Sequence, residues 1–368
     1  MNHVRDFFTM APSQRDHYPA ARIALGIAVP LLVVLAIGRI DLTIFAAFGA
    51  FSGIYAKAEI AGRRFQHQSI AGFILVACLG LGGAYASIGA SPWAIVITTA
   101  VVAGAGSVAA DYWRLKPPGS LFFVFAFAAV ASLPEVPPWW QALTVGTASV
   151  LWCLFLGAVP AVVRKLRRSG DIGARLPASE RPAPAQIRPD LSGPAPIGPA
   201  PQQPVDWSAL MVHALRYAVA AAIAGGLATF ADIGHSYWAM VAAVVPIAAP
   251  TLAGRLARAV HRIVGTLGGV AVTAAILALP LLPWHIVLLL VVLQFLAEMF
   301  VQRHYTVALF FITPLALLMS FLVTQPDPAD LLVDRTLETV IGALVGVAVV
   351  VLMRERAASL KGPETVGR

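Results

Sequence analysis

From residue 20 to residue 353 the chain reads as long apolar runs, each broken by a few charges, prolines or glycines. The runs lie near 20–38, 41–56, 69–87, 92–110, 119–133, 141–163, 211–231, 236–251, 261–280, 284–301, 305–324 and 335–353. A helix needs about 20 apolar residues to cross the roughly 30 Å hydrocarbon core of a bilayer, and most of these runs approach that length. None shows the two-residue alternation of a barrel strand. The pattern therefore predicts an all-α membrane protein of about twelve transmembrane helices. Two runs are short. The second, DLTIFAAFGAFSGIYA (41–56), carries Gly49 and Gly53, and the eighth, HSYWAMVAAVVPIAAP (235–250), carries Pro246 and Pro250. From Trp238 to Pro250 an ideal helix rises only about 20 Å. Pro246 leaves the Ala242 carbonyl without its usual donor, and Pro250 does the same to Pro246. Freed backbone groups at bilayer depth are tolerated only against protein or a wet cavity, so both runs are expected to line a central path. The competing reading is that GAFSG, a GxxxG, lets helices pack closely and that the prolines kink.

Sliding the chain by 194 residues lays Arg22 on Arg216, Arg64 on Arg258 and His67 on His261, and lays one short run over the other. With a small drift, SPWAIV (91–96) then meets LPWHIV (282–287) and SLFF (120–123) meets ALFF (308–311). The order of these matches predicts two parallel six-helix repeats, residues 20–163 and 207–353, because an even number of crossings returns each copy to the same side. Short or Gly/Pro-interrupted spans at matching positions of two halves point to a central site.

Composition agrees: 59% of residues are hydrophobic, 12% are charged, and the mean hydropathy is +0.80. Soluble domains run near 25% charged, so a soluble core is excluded. Charge sets orientation. Of the 26 Lys and Arg, 24 fall at the termini, in the linker or toward the loops after the even-numbered runs, leaving Arg39 and Arg335 on the other side. The positive-inside rule places the N-terminal segment 1–19 and the C-terminal tail 354–368 in the cytoplasm of a bacterial cell with the protein in its inner membrane. The +8 net charge is thus a topology signal, and no soluble basic domain exists to bind nucleic acid. Between the repeats, residues 164–206 open on RKLRRSGDIG and hold nine prolines, which predicts a disordered, basic cytoplasmic linker. Its first cations serve either as stop-transfer charges or as a grip on anionic headgroups. Cys78 and Cys153 sit inside apolar runs with no metal-ligand spacing.

Three stretches of the second half are familiar: HSYWAMVAAVVPIAAPTLAGRLARAVHRIVGTLGG (235–269), EMFVQRHYTVALFFITPLALL (298–318) and DRTLETVIGALVG (334–346). Through the RxxGT element, the TPLALL run and the R-x-x-E-T-x-x-G element, the chain resembles the fusaric acid resistance family of bacterial aromatic acid exporters. The resemblance implies membrane export of aromatic carboxylates driven by the proton gradient. Many members carry a large soluble region between two membrane halves, and here the proline-rich linker occupies that place.

A flat aromatic anion needs a cationic or N–H-rich spot for its carboxylate and apolar or aromatic walls for its ring. The expected substrate-binding set is Tyr237, Trp238, Pro246, His261, Arg262, Thr266, Tyr305 and Thr313. Tyr237 and Trp238 read equally well as an interfacial aromatic belt, and His261 and Arg262 as inner-face basic residues. Glu298, late in an apolar run, is the expected proton-coupling residue, with Asp111 its counterpart; the structural alternatives are salt bridges to Arg303 and Arg114. Arg335 and Glu338 are one turn apart and can pair on one helix face, as Arg39 can with Asp41. With Gly49, Gly53, Gly342 and Gly346 these form a structural or gating set. No P-loop, HExxH, nucleophile elbow or dinucleotide fingerprint is present, so no enzyme activity, cofactor or metal is expected. The expected function is inner-membrane export of organic anions, with the lipid bilayer as the chain's other partner. A potential-driven anion channel is the alternative, because one charge gains about 2.3 kcal/mol per 100 mV, roughly a 50-fold gradient. A non-transporting membrane partner protein is the third reading.

Overall fold

A computed structural model of the chain describes residues 16–170 and 206–353. The expected linker prolines, the N-terminal segment up to residue 15 and the whole C-terminal tail 354–368 lie outside the described residues. Every regular element is helical among the described residues. In the first half these are α1 (His17–Ala36), α2 (Thr43–Ala50) flanked by 3-10 turns at Ile40–Leu42 and Phe51–Ile54, α3 (Ala61–Ser87), α4 (Pro92–Tyr112), α5 (Leu121–Ala131) and α6 (Trp139–Gly170). The second half holds α7 (Trp207–Phe230), α8 (Tyr237–Ile247), α9 (Leu252–Leu277), α10 (Pro283–Phe300), α11 (Tyr305–Thr324) and α12 (Pro328–Leu352). Nine of these are long and apolar enough to cross a membrane among the described residues, and Ile40–Ile54, α5 and α8 are shorter apolar segments.

Several helices begin one or two turns before their apolar runs. Prolines 92, 283 and 328 open α4, α10 and α12, where a missing N–H costs nothing. Side chains cap others: Asp206 accepts from the Ala209 amide at 3.1 Å and Thr251 from Gly254 at 3.1 Å. The charged turns read as loops in the sequence are therefore helical. Arg64 lies in α3 and Arg255 and Arg258 lie in α9; Arg262 and Arg335, already inside their apolar runs, lie in α9 and α12. The opposite difference falls on α5. Its run looked like an ordinary span, yet its eleven helical residues rise about 16 Å.

The three short segments form the centre and the long helices surround them. All eight residues of α2 and all eleven of α8 are buried, as are nine consecutive residues of α5. Within each half the packing follows one scheme. Helix α2 crosses α6 as α8 crosses α12, and α3 packs on α5 and α6 as α9 packs on α11 and α12. Between halves, α4 lies on α7 and α10 on α1, while α5 meets α8 and α11 meets α2. The helix crossings are close because small residues face each other. A Cβ on Gly49 would strike the Gly146 carbonyl oxygen of α6, and on Gly342 and Gly346 it would strike the Ala239 and Ala243 carbonyl oxygens of α8. Gly53 sits against the Cys153 sulfur. Gly49, Gly342 and Gly346 thus pack backbone on backbone, the GxxxG role weighed above, while Gly53 makes room for a side chain.

Candidate functional site: a cationic cavity between the halves

Where the halves meet, the structure encloses a cavity of about 830 Å³. Its walls come from the end of the α2 segment, α4 and the loop behind it, α5, α8, α9, α10, α11 and α12. One face of α8 supplies Trp238, Val241, Val244, Val245 and Ala248, spaced as a helical stripe. Phe51, Phe122 and Phe125 of the first half face it.

Charge is unevenly distributed over this lining. Six cations, Lys57, Arg114, Lys116, Arg258, Arg262 and Arg335, meet three acids, Glu59, Asp111 and Glu298. Arg114 and Lys116 are exposed and mark the rim, Lys57 and Arg258 are partly buried, and Arg262 and Arg335 are fully enclosed. A low-dielectric cleft lined by one sign of charge focuses its field on small ions of the other sign.

All three acids are already paired, Glu59 with His67 at 2.9 Å inside the first half and the other two across the halves. Lys57 Nζ donates to Glu298 Oε2 at 2.7 Å, and Gln294 Nε2 donates to Glu298 Oε1 at 3.3 Å. His213 Nδ1 lies 2.6 Å from Asp111 Oδ2. In place of the expected partners, Arg303 reaches Asp16, the residue before α1, at 3.0 Å.

At the enclosed end the guanidinium of Arg335 lies 3.9 Å from the centroid of the Trp238 ring. Trp238 in turn touches Phe125 at 4.5 Å between centroids, and Phe125 meets Phe48 edge-on at 4.7 Å. This aromatic chain joins α2, α5 and α8, with Phe125 and Trp238 on the cavity lining and Phe48 behind them. Arg335 does not pair with Glu338: the arginine extends onto the Trp238 face, and both Glu338 oxygens lack a hydrogen-bond partner. Arg335 Nε and Nη1 are also buried without a partner, as is Arg262 Nε; Arg262 Nη1 lies 3.3 Å from the Tyr305 hydroxyl. Glu338 sits ten residues into α12, about 15 Å along it, near the middle of a 30 Å core. Buried polar groups are nearly always satisfied, so unfilled donors on a cavity wall mark a place for an acceptor.

The sequence-selected residues therefore separate into groups. Trp238, Arg262, Tyr305, Glu298, Asp111 and Arg335 line the cavity. Tyr237 is buried behind Trp238, its hydroxyl 3.5 Å from that of Ser320, and is no interfacial belt. Pro246 is buried outside the lining, and its carbonyl accepts from the Ala249 amide at 3.3 Å. His261 bonds Thr306, and the buried Thr266 and Thr313 hydroxyls sit behind the wall. Arg39 and Asp41 form an exposed pair at 2.6 Å far from the cavity lining. Sequence reasoning missed Lys57 and Phe125. The signals were present: Lys57 directly follows the first short run, and Phe125 continues the SLFF match.

Residues 220–349, from α7 to α12, match the family described as fusaric acid resistance protein-like. That region contains Trp238, Arg262, Glu298, Tyr305, Arg335 and Glu338. The chain is also 28% identical over 163 residues to the uncharacterized membrane protein YvaC of Bacillus subtilis, a match covering 44% of this chain and 26% of that one. The chain thus spans about a quarter of the length of that curated relative. No solved structure matches.

Proposed function

We propose that this multi-pass integral membrane protein, which carries a fusaric acid resistance protein-like region at residues 220–349, exports organic anions, aromatic carboxylates foremost. The observation that carries the reading is the cationic lining that ends on Arg335, a buried guanidinium with unfilled donors beside aromatic walls. A carboxylate supplies the missing acceptors, and charge-assisted pairing with arginine is among the stronger hydrogen bonds available. The aromatic chain Phe48–Phe125–Trp238 favours a carrier over an open channel, because it blocks the path beyond the bound anion.

The architecture in this reading is twelve crossings in two parallel six-helix repeats. The packing scheme that recurs when six is added to each helix number supports the duplication. Basic residues at the rim then face the cytoplasm, with both termini on that side and the protein in the bacterial inner membrane. Glu298 and Asp111, paired with Lys57 and His213, are the groups through which a proton can be exchanged at the cavity wall.

Purified full-length chain in liposomes tests this, with flux of labelled hydroxybenzoate followed while membrane potential and pH gradient are varied independently. Saturable flux that responds to the pH gradient and falls in Arg335→Gln supports the carrier. Flux that follows potential alone and survives Glu298→Gln indicates a channel. Absence of flux for every organic anion removes the reading and leaves a membrane partner protein.

A further inference from the structure

We infer that the cavity selects multi-ring aromatic carboxylates over the single-ring acids. The inference rests on the organic-anion reading above and concerns what fills the space beyond the anionic group.

Only one part of the lining suits a carboxylate at depth. Arg335 and Arg262 are enclosed, whereas Arg114 and Lys116 stand at the rim. Beside the paired Lys57–Glu298 and Gln294, the lining also carries apolar side chains: Phe51, Phe122 and Phe125 from the first half, Val241 and Val244 of α8 and Leu315 and Ala316 of α11 from the second. Phe51 and Phe122 stand edge to face at 5.3 Å, and both line the cavity. Aromatic faces are best covered by other aromatic rings, stacked or edge-on.

Volume then decides the size of the guest. At about 30 Å³ for each water, the 830 Å³ cavity corresponds to about 28 waters. A hydroxybenzoate has about ten non-hydrogen atoms, so it displaces at most about a third of that water. With its carboxylate on Arg335 it leaves the phenylalanine wall wet. A second and third fused ring each bury about four more carbons against that wall, and area-proportional burial makes each worth about tenfold in affinity. Cavities of this size suit drug-sized ligands in general.

The test uses full-length protein in detergent micelles and three probes of rising size: benzoate, 2-naphthoate and anthracene-2-carboxylate. Binding is scored as the component lost in Arg335→Gln, which removes partition into the micelle. The expected dissociation constants fall about tenfold per ring. Ala316→Phe, which projects a ring into the lining, erases the gain of the anthracene acid over benzoate. Ile312→Trp on the same helix serves the same purpose if Ala316→Phe does not elute as wild type does. Equal affinities across the series, with benzoate binding still dependent on Arg335, overturn the size selection and leave the anion reading standing. No Arg335-dependent binding of any probe overturns both.

Discussion

The Lys57–Glu298 pair is the most direct check on how the halves meet. It joins the end of the first short segment to α10, 241 positions later in the chain, at 2.7 Å. Glu298 is 7% and Lys57 15% exposed, so the charges face the cavity wall and not bulk water. At an effective dielectric constant of about 20, two unit charges at that separation attract by roughly 6 kcal/mol. Desolvation of both ions returns several kcal/mol of this. A net coupling of about 2 kcal/mol is expected, within the span measured for close charge pairs. Lys57→Met strands a buried carboxylate and costs about 3 kcal/mol. Glu298→Gln keeps the Gln294 contact and costs about 2 kcal/mol. The double variant costs about 3 kcal/mol, because no charge is left unpaired. Reversible unfolding titrations in mixed micelles on all four proteins close the double-mutant cycle. A coupling below about 0.5 kcal/mol would show that the two groups do not meet in the folded chain, and the inter-half geometry built on them would fall with it.

Other outcomes follow from the same packing. Gly342→Leu drives a side chain into the Ala239 carbonyl and should exceed the usual 1–3 kcal/mol of overpacking, read as loss of the monodisperse peak in size-exclusion chromatography. Trp238→Leu removes the face beneath Arg335, worth about 2 kcal/mol when desolvated, and should weaken Arg335-dependent anion binding severalfold while the protein still folds. Asp41→Asn breaks an exposed pair and should leave the unfolding midpoint in the same titration unchanged within error. Cys78 and Cys153 are buried and free, so a membrane-permeant maleimide should label them only after unfolding.

Much of the fold was legible because burial in lipid leaves a one-dimensional trace. Long apolar runs and the prolines that open helices lie along the chain, and each apolar run holds a helix. The helix starts at Ala61, Leu252 and Pro328 were less visible, since capped, charged turns look like loops when only apolarity is read. The shortness of α5 was hidden for the opposite reason: an apolar stretch says nothing about where its helix ends. At the site, the sequence could nominate Trp238, Arg262, Arg335 and Glu298 from their unusual setting. It could not show that Arg335 turns from Glu338 to the Trp238 ring, or that Glu298 meets Lys57. Those choices are made in three dimensions, between residues far apart in the chain.

The central position of α2, α5 and α8 has a mechanical consequence. A helix that touches lipid must match the thickness of the bilayer, and mismatch tilts or strains it. These three touch protein nearly everywhere, so a thicker or thinner membrane acts on the surrounding long helices and reaches the centre only through them. Trp238, Phe125 and Phe48 therefore sit on an inner frame insulated from the lipid. Changing acyl-chain length should move the stability of the whole bundle well before it alters the shape of the anion-facing wall.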